Sequence, residues 1–460
     1  MRWPQKLTKK LLFELAAVGT AILAFLIYKL RYLSFRYGDQ NIYFYYAQEI
    51  LKGHVPHRDF FVNDPGLFIY LLAAFRFLIG QHWLWMGMLT ILLHIAIALM
   101  IYLLLRRFKS PLSFLGPFFY LFSFSTLANS DYATGEELMI FFVMLAIWSW
   151  DNKKSVKSGA AWALAGLSKL YAGAGLIGFM VGSFFAGERK RLPFLIAGGL
   201  SVSLIWLIPF FLLSPNNFFY DLVVVHLNRV AGLDKANIFS YFIQREWLII
   251  ILAIPGFALI RKNLALAPFL GFLVFFIFFR DFYYLYFQAL VPFLVIASII
   301  FLGWLWENFP GHRIYSSLLL IVCFLFFVVS IYFYHQNWLN KLKFSNAPEV
   351  AEAVAKLPDS FPLYGAFDST PLISLLSGRP IFKNYYDTNP IFFWTGRLDK
   401  EKIGREAADN GIYLVTEEIN LPDLGIIDPG YKEFFSEKIF KSACRKALVA
   451  DKLTIYRCKE

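Results

Sequence analysis

A small set of polar side chains interrupts an otherwise apolar chain. Asp39, His54, His57, Arg58, Asp59 and Asp64 fall in one segment, and Asp131, Glu136 and Glu137 in a second. His226 and Arg229 fall in a third, and Arg280 and Asp281 in a fourth. Carboxylates can accept a hydroxyl proton or hold a cation, histidine can move protons, and arginine or lysine can hold an anion. Acids and bases gathered at one membrane surface would suit a charged lipid headgroup. Lys169 stands apart, inside the nearly uniform apolar stretch 158–187. Charge at membrane depth is costly and is functional by default. No phosphate-cradling glycine loop, dinucleotide fingerprint, zinc-protease helix, CxxC pair or nucleophile elbow occurs in a supporting context.

The elements that position these groups follow from composition. Of 460 residues, 58% are hydrophobic and 17% charged, with 52 Phe, 25 Tyr and 12 Trp. A soluble protein carries roughly 25% charged residues, and could not hide this much apolar surface. The chain reads as a polytopic α-helical membrane protein; disorder, coiled coil and collagen are excluded. Residues 341–460 hold 17 basic and 17 acidic residues, whereas residues 1–340 hold 27 and 15, so the whole excess of +12 lies in the membrane part. Such a bias belongs to short cytoplasmic loops beside anionic lipid, and argues against nucleic acid as a partner.

Arg2, Lys6, Lys9 and Lys10 precede an uncleaved first apolar helix over 11–30. Further apolar runs cover 82–105, 111–128, 136–150, 192–213, 246–260, 264–279, 284–306 and 314–333. Basic clusters sit at Arg106, Arg107 and Lys109; at Lys153, Lys154 and Lys157; at Arg189–Arg191; at Arg261 and Lys262; and at His312 and Arg313. With all of these cytoplasmic, each intervening segment crosses an even number of times. Stretch 158–187 then becomes a hairpin, although it is short for two spans at about 1.5 Å per residue. Gly166, Gly173, Gly175 and Gly178 would let two short helices meet, with Lys169 at the break. The sum is about eleven spans, N-terminus cytoplasmic and C-terminus outside. Arg31 and Arg36 are minor exceptions to the charge rule.

The outer loop 31–81 is too long for a simple connection. Segment 41–52 reads as an amphipathic helix with Ile42, Tyr45, Tyr46, Ile50 and Leu51 apolar, and 67–79, containing Arg76, as an interfacial helix. Residues 341–460 read as a small α/β domain outside the membrane, beyond a membrane domain over 1–340. Its helices are expected at 348–357 and 399–410, and its strands at 361–367, 412–416 and 453–457. Cys323 reads as packing. Cys444 and Cys458 flank a last hairpin with its turn near Ala450 and Asp451, and either a disulfide or two free thiols fits.

Four stretches together resemble GT-C membrane glycosyltransferases, in the branch of protein O-mannosyltransferases and aminoarabinose lipid A transferases. The first runs from Gly38-Asp39-Gln40 through Ala47-Gln48-Glu49-Ile50-Leu51-Lys52-Gly53, Val55-Pro56-His57-Arg58-Asp59 and Asn63-Asp64-Pro65-Gly66 to Tyr70-Leu71. The others are Thr134-Gly135-Glu136-Glu137-Leu138, Ala165-Gly166-Leu167-Ser168-Lys169 and the segment from Arg280-Asp281-Phe282 to Gln288 and Pro292. The resemblance covers about residues 10–340 and extends more weakly to Ser377-Gly378-Arg379-Pro380 in the tail. Asp64 departs from the pattern, since relatives usually carry Lys before the Pro.

The resemblance implies a polyprenyl-phosphate sugar donor and a lipid, glycan or protein hydroxyl as acceptor. It makes Asp39 the catalytic base, against an ordinary solvated loop carboxylate just past a helix end. Lys169 and Arg280 become donor-phosphate ligands, with a snorkelling interfacial arginine as the alternative for Arg280. Asp131, Glu136 and Glu137 are candidates for binding the acceptor or a divalent cation, or else simply complement a helix N-terminus. His57, Arg58, Asp64, His226 and Arg229 would line the loop. No residue set has metal-ligand spacing, so a metal stays open. The competing reading is a non-catalytic lipid or polysaccharide transporter, which should show symmetric halves with paired broken helices; this chain shows one large loop, one broken hairpin and a one-sided tail.

Overall fold

The computed structural model describes residues 9–80, 82–229, 234–260, 266–280, 282–308, 312–339, 342–417, 420–421, 426–427, 430–450 and 452–459. Arg2, Lys6, Arg261, Lys262, Asp281 and Asp451, and the side chains of His312 and Arg313, lie outside the described residues.

Each apolar run folds as helix. The chain order begins α1 (Lys9–Tyr32), α2 (Gln40–Leu51), α3 (Leu67–Ile79), α4 (Gly87–Arg107), α5 (Leu115–Leu121), α6 (Phe124–Asn129) and α7 (Glu136–Asp151). It continues with α8 (Ser155–Ser168), α9 (Ala172–Phe185), α10 (Leu192–Leu213), α11 (Pro215–Phe219), a π-helical stretch Tyr220–Val224 and α12 (Val225–Leu227). Then come α13 (Lys235–Leu259), α14 (Leu266–Phe278), α15 (Val291–Asn308) and α16 (His312–Tyr334). Among the described residues six helical stretches are long and apolar enough to cross a bilayer: Lys9–Tyr32, Trp83–Arg107, Arg189–Leu213, Lys235–Leu259, Tyr284–Asn308 and Ile314–Leu339. The remaining apolar helices are shorter, so the even row of eleven spans becomes a mixture of long and broken ones.

Two breaks have local causes. The run 111–128 is not one helix but α5 and α6, because Ser123 stops the first and caps the second, its Oγ accepting the Thr126 N–H at 3.3 Å. Glu246 of α13 supports this break by accepting the Ser125 N–H at 2.7 Å, which satisfies a backbone donor that would otherwise be orphaned. The second break is at Lys169, which leaves helix geometry at φ −149° and ψ 123° between α8 and α9. The glycines there do not join those two helices, as the sequence suggested. A Cβ on Gly178 would collide with the backbone of α14 at Ala267 and Gly271. Gly159 and Gly198 make a similar close approach between α8 and α10. Small residues pack best where backbones must touch, and each half of the hairpin spends them on a neighbour.

Helix α2 also differs from the amphipathic surface helix expected of it. Every residue from Gln40 to Ala47 is buried, because α3 covers one side and the C-terminal domain another. Tyr45 and Tyr46 pack on Tyr386, with ring centroids 4.8 and 5.4 Å apart. In α3, Phe77 and Leu78 are exposed while Arg76 lies over the Trp83 ring at 4.1 Å.

The C-terminal domain contains α17 (Ala347–Ala355), β1 (Leu363–Gly365), α18 (Thr370–Ser377), α19 (Pro390–Trp394), α20 (Lys400–Asn410), β2 (Ile412–Glu417), β3 (Asn420–Leu421), β4 (Ile426–Ile427), α21 (Glu437–Ala443), β5 (Cys444–Ala450) and β6 (Leu453–Cys458). Its main sheet runs β1-β2-β6-β5, with β1 parallel to β2 and the other pairs antiparallel. The apolar run that makes β2 is buried along its whole length, as a central strand requires. Cys444 and Cys458 face each other across β5 and β6 and form a disulfide. The domain is clamped to the first loop: the Tyr37 N–H donates to Leu342 O at 3.0 Å, the Phe344 N–H to Phe35 O at 2.8 Å, and the rings of Tyr37 and Phe344 stack at 4.2 Å.

Candidate active site

The α1–α3 segment, the start of α7, the α8–α9 break, the loop after α10, the end of α14 and the C-terminal domain surround one cavity of about 330 Å³. Asp39, Asp64, Glu136, Lys169, His226 and Arg229 all line it. Four of the sequence segments that stood out therefore converge on one space.

Lys169 sits at its centre of charge. Because α8 ends at Ser168, the extended residue after it directs a long side chain toward the first loop. Its Nζ donates to Asp64 Oδ2 at 2.8 Å and to the Tyr43 hydroxyl at 2.6 Å, and Glu136 Oε1 lies at 3.7 Å. The Tyr43 hydroxyl in turn donates to Asp64 Oδ2 at 2.8 Å. Burial alone would raise the Asp64 carboxyl, but the Lys169 ammonium outweighs it and holds the group below its usual range. Asp64, the departure from the family pattern, is thus the counter-ion of Lys169. The loop on either side of it is fixed by the Trp206 Nε1–H donating to Pro65 O at 2.9 Å and the His226 Nε2–H donating to Asn63 O at 2.7 Å. Burial, and then the charge of Arg229, hold the His226 imidazole below its usual range.

Asp39 occupies the N-cap position of α2, without a side-chain capping bond to the helix, and is half-buried on the cavity wall. The residue before it must be glycine. Gly38 has φ 130°, and a Cβ there would collide with the Tyr132 hydroxyl. The Gly38 N–H donates to Asp368 O at 3.0 Å, and the Asn41 side chain donates to Arg36 O at 2.9 Å and to Asp368 O. The domain that the sequence set apart from the membrane part therefore holds the candidate base in place.

That domain also supplies a cavity acid that the sequence reading missed. Asp387 lines the cavity, accepting from the Tyr46 hydroxyl at 3.2 Å and from the Asn389 N–H at 3.2 Å. Burial pushes its carboxyl up to about 7 and the nearby Asp39 charge adds to the rise, while the Asn389 amide, the Tyr46 hydroxyl and Arg229 oppose it. No motif marks Asp387. Its only local signal is the Asp-Thr-Asn-Pro turn that caps α19, where Asn389 Oδ1 accepts the Ile391 N–H.

Other candidates lie elsewhere. Arg280 is exposed and does not line the cavity. Glu137 is buried beside it but turns back onto its own helix start, accepting the Gly135 N–H at 3.3 Å. His57 and Arg58 line a second cavity. Asp131 lies in a buried ion network, with Lys29 Nζ at 2.8 Å and Arg36 at 2.9 Å from its Oδ1. Both cations also donate to the Tyr334 hydroxyl at 3.0 Å. This accounts for Arg36, an exception to the charge rule: it is a buried partner that ties α1, the α6–α7 connection and α16 together. Among the described residues no three His, Cys, Asp or Glu side chains gather to hold a metal ion.

No protein-family model and no curated protein sequence matches the chain. Solved structures do match its shape, among them two crystal structures of one protein. ArnT from Cupriavidus metallidurans bound to undecaprenyl phosphate superposes with a TM-score of 0.65 at 14% identity, over 96% of this chain and 97% of that one. The apo state of the same protein gives 0.66 at 13% identity, over 96% and 98%. The two chains share one fold. The chain has that fold: a polytopic α-helical body with a small C-terminal sheet domain.

Proposed function

We propose that the chain is an integral-membrane glycosyltransferase that moves a sugar from a polyprenyl-phosphate donor to a hydroxyl on the outer face of the membrane. The observation that carries this reading is an ArnT-like fold with a cavity that joins Asp39, Lys169, Arg229 and Asp387. The similar protein was crystallised with undecaprenyl phosphate, which supports a polyprenyl-linked donor here.

In this reading the acceptor oxygen attacks the anomeric carbon of the donor sugar, and its proton passes to Asp39. The bond from that carbon to the phosphate oxygen breaks, and polyprenyl phosphate leaves with its electron pair. A single displacement of this kind inverts the anomeric centre. The leaving phosphate gains charge as the bond breaks, so a fixed cation stabilises the transition state more than the ground state. Lys169 and Arg229 take that role. Lys169 is held ready by Asp64 and Tyr43, so little reorganisation accompanies reaction. Arg280, outside the cavity, is not part of the phosphate site and is left as an interfacial arginine. Asp387 lies near Asp39 and keeps part of the acid pair neutral near pH 7.

The outer location rests on the basic clusters and on the Cys444–Cys458 disulfide, since such bonds persist in oxidising compartments. The test is to incubate purified protein in detergent with a synthetic polyprenyl-phosphate sugar and an envelope lipid extract. Release of polyprenyl phosphate coupled to a glycosylated product supports the reading. An intact donor across a panel of sugars and acceptors contradicts it.

A further inference from the structure

A second cavity of about 270 Å³ opens beside the first, and the two share Asp387 and Phe392 in their walls. It is built from the first outer loop, the segment after α10 and the C-terminal domain. His57 forms part of its wall and is 2% exposed. The His57 ring is fixed by Asp221, whose Oδ2 is 3.0 Å from Nδ1, and by edge contacts to Phe210 and Phe218. Its Nε2 is buried and has no hydrogen-bond partner among the described residues. With the Nδ1 proton directed at Asp221, Nε2 presents a lone pair. A buried polar atom left in that state needs an explanation.

The backbone around this space is strained. Five non-glycine residues with positive φ occur among the described residues, and three of them line this cavity: His57 at 65°, Lys383 at 46° and Asn384 at 58°. Such conformations persist where the surrounding structure enforces them, often at ligand sites. The remaining wall combines Tyr385 and Tyr386 with the amides of Asn217 and Asn384. Of the charged groups in its wall, Arg58 pairs with Asp59 at 2.6 Å, Lys383 with Glu406 at 2.9 Å and Asp221 with His57 at 3.0 Å, while Arg397 lies over the Tyr220 ring at 4.9 Å. The wall is made chiefly of aromatic faces, amides and one imidazole. It suits a sugar, whose C–H face packs on an aromatic ring while its hydroxyls meet amides and the Nε2 lone pair.

We propose that this second cavity is a saccharide subsite that holds the glycan end of the acceptor, with Nε2 of His57 accepting a hydrogen bond from one of its hydroxyls. The proposal rests on the reading of the first cavity as the donor site, and the shared wall at Asp387 sets the two substrates side by side. It selects a glycan among the acceptor classes that the fold leaves open.

The experiment uses the full chain in a sugar-free detergent. Saturation-transfer NMR with the methyl glycosides of glucose, galactose, mannose and N-acetylglucosamine reports saccharide binding. Binding of undecaprenyl phosphate is measured on the same samples. At least one glycoside should bind, and both His57→Gln and Tyr385→Ala should weaken it by about tenfold, the scale of one lost contact, with undecaprenyl-phosphate binding unchanged. Tyr385 is only half-buried, so its variant remains informative if His57→Gln fails to fold. Binding of no glycoside, or equal binding by both variants, overturns the subsite, as does binding of a serine-containing peptide in place of the glycosides. Undecaprenyl-phosphate binding without glycoside binding overturns this site alone. Glycoside binding without undecaprenyl-phosphate binding supports the saccharide site and overturns the donor reading.

Discussion

Lys169 Nζ and Asp64 Oδ2 meet at 2.8 Å, joining the break between α8 and α9 to the loop between α2 and α3. Both side chains are nearly buried, and Glu136 is the next acid at 3.7 Å. Removing the cation leaves two buried acids facing each other. Lys169→Met should therefore destabilise the protein by roughly 3–5 kcal/mol. The double variant Lys169→Met, Asp64→Asn should recover most of that loss. Thermal unfolding of the two singles and the double in one detergent measures the coupling. Additive effects would show that the pair is not an energetic unit.

Asp131 makes a different prediction. Among the described residues it is the only carboxylate in ion-pair contact with Lys29 and Arg36, which are themselves buried. Asp131→Asn leaves two cations uncompensated and should lower the unfolding temperature sharply, with activity falling only in step with the folded fraction. A stable variant that is nonetheless inactive would return Asp131 to a direct role with substrate.

Asp387 sets a pH dependence. Its carboxyl titrates at about 7, above its ordinary 3.8. Between those values the folded state keeps a proton that the unfolded state has released. Stability from this group is complete below the lower value and is lost as pH rises through the upper one, with a slope of at most about 1.4 kcal/mol per pH unit. Asp387→Asn should flatten the fall in unfolding temperature between about pH 4 and pH 7. Parallel curves for the two proteins would remove the assignment.

Sidedness is tested by cysteine labelling. Ser155 is a poor probe, since it is buried under the Arg191 side chain, which donates to its Oγ at 3.0 Å. Lys154 and Lys400 are exposed. In a Cys323→Ala background, Lys154→Cys should label only after the membrane is opened, and Lys400→Cys from outside in intact cells. Labelling of both from one side would contradict the outer location of the site.

The parts of this architecture that were readable in advance are those with a local cause. The break at Lys169 shows in the sequence because a lone charge follows Gly166 in an apolar run, and the β5–β6 hairpin shows in its alternation. The misread parts depend on contacts between distant segments. Helix α2 looked amphipathic because its tyrosines can serve a wet or a dry face; only the docking of α18 and Tyr386 makes it dry all round. Asp131 looked like a site acid because its partners Lys29 and Arg36 lie about 100 residues earlier. Asp387 was overlooked because nothing in its own segment says that the C-terminal domain folds down over the membrane cavity. Arg280 was overvalued on motif alone; the end of α14 leaves it exposed.

The central claim is that Asp39 takes the acceptor proton in this cavity. The most direct measurement is the rate of labelled sugar transfer from a synthetic polyprenyl-phosphate donor by wild type and by Asp39→Asn, with donor affinity measured alongside. Asn keeps the size of the side chain and its capping position but cannot accept the proton. The predicted result is a fall in turnover of about a hundredfold or more, the scale of a lost general base, with donor affinity little changed. Near-normal turnover by a folded Asp39→Asn protein would contradict the account.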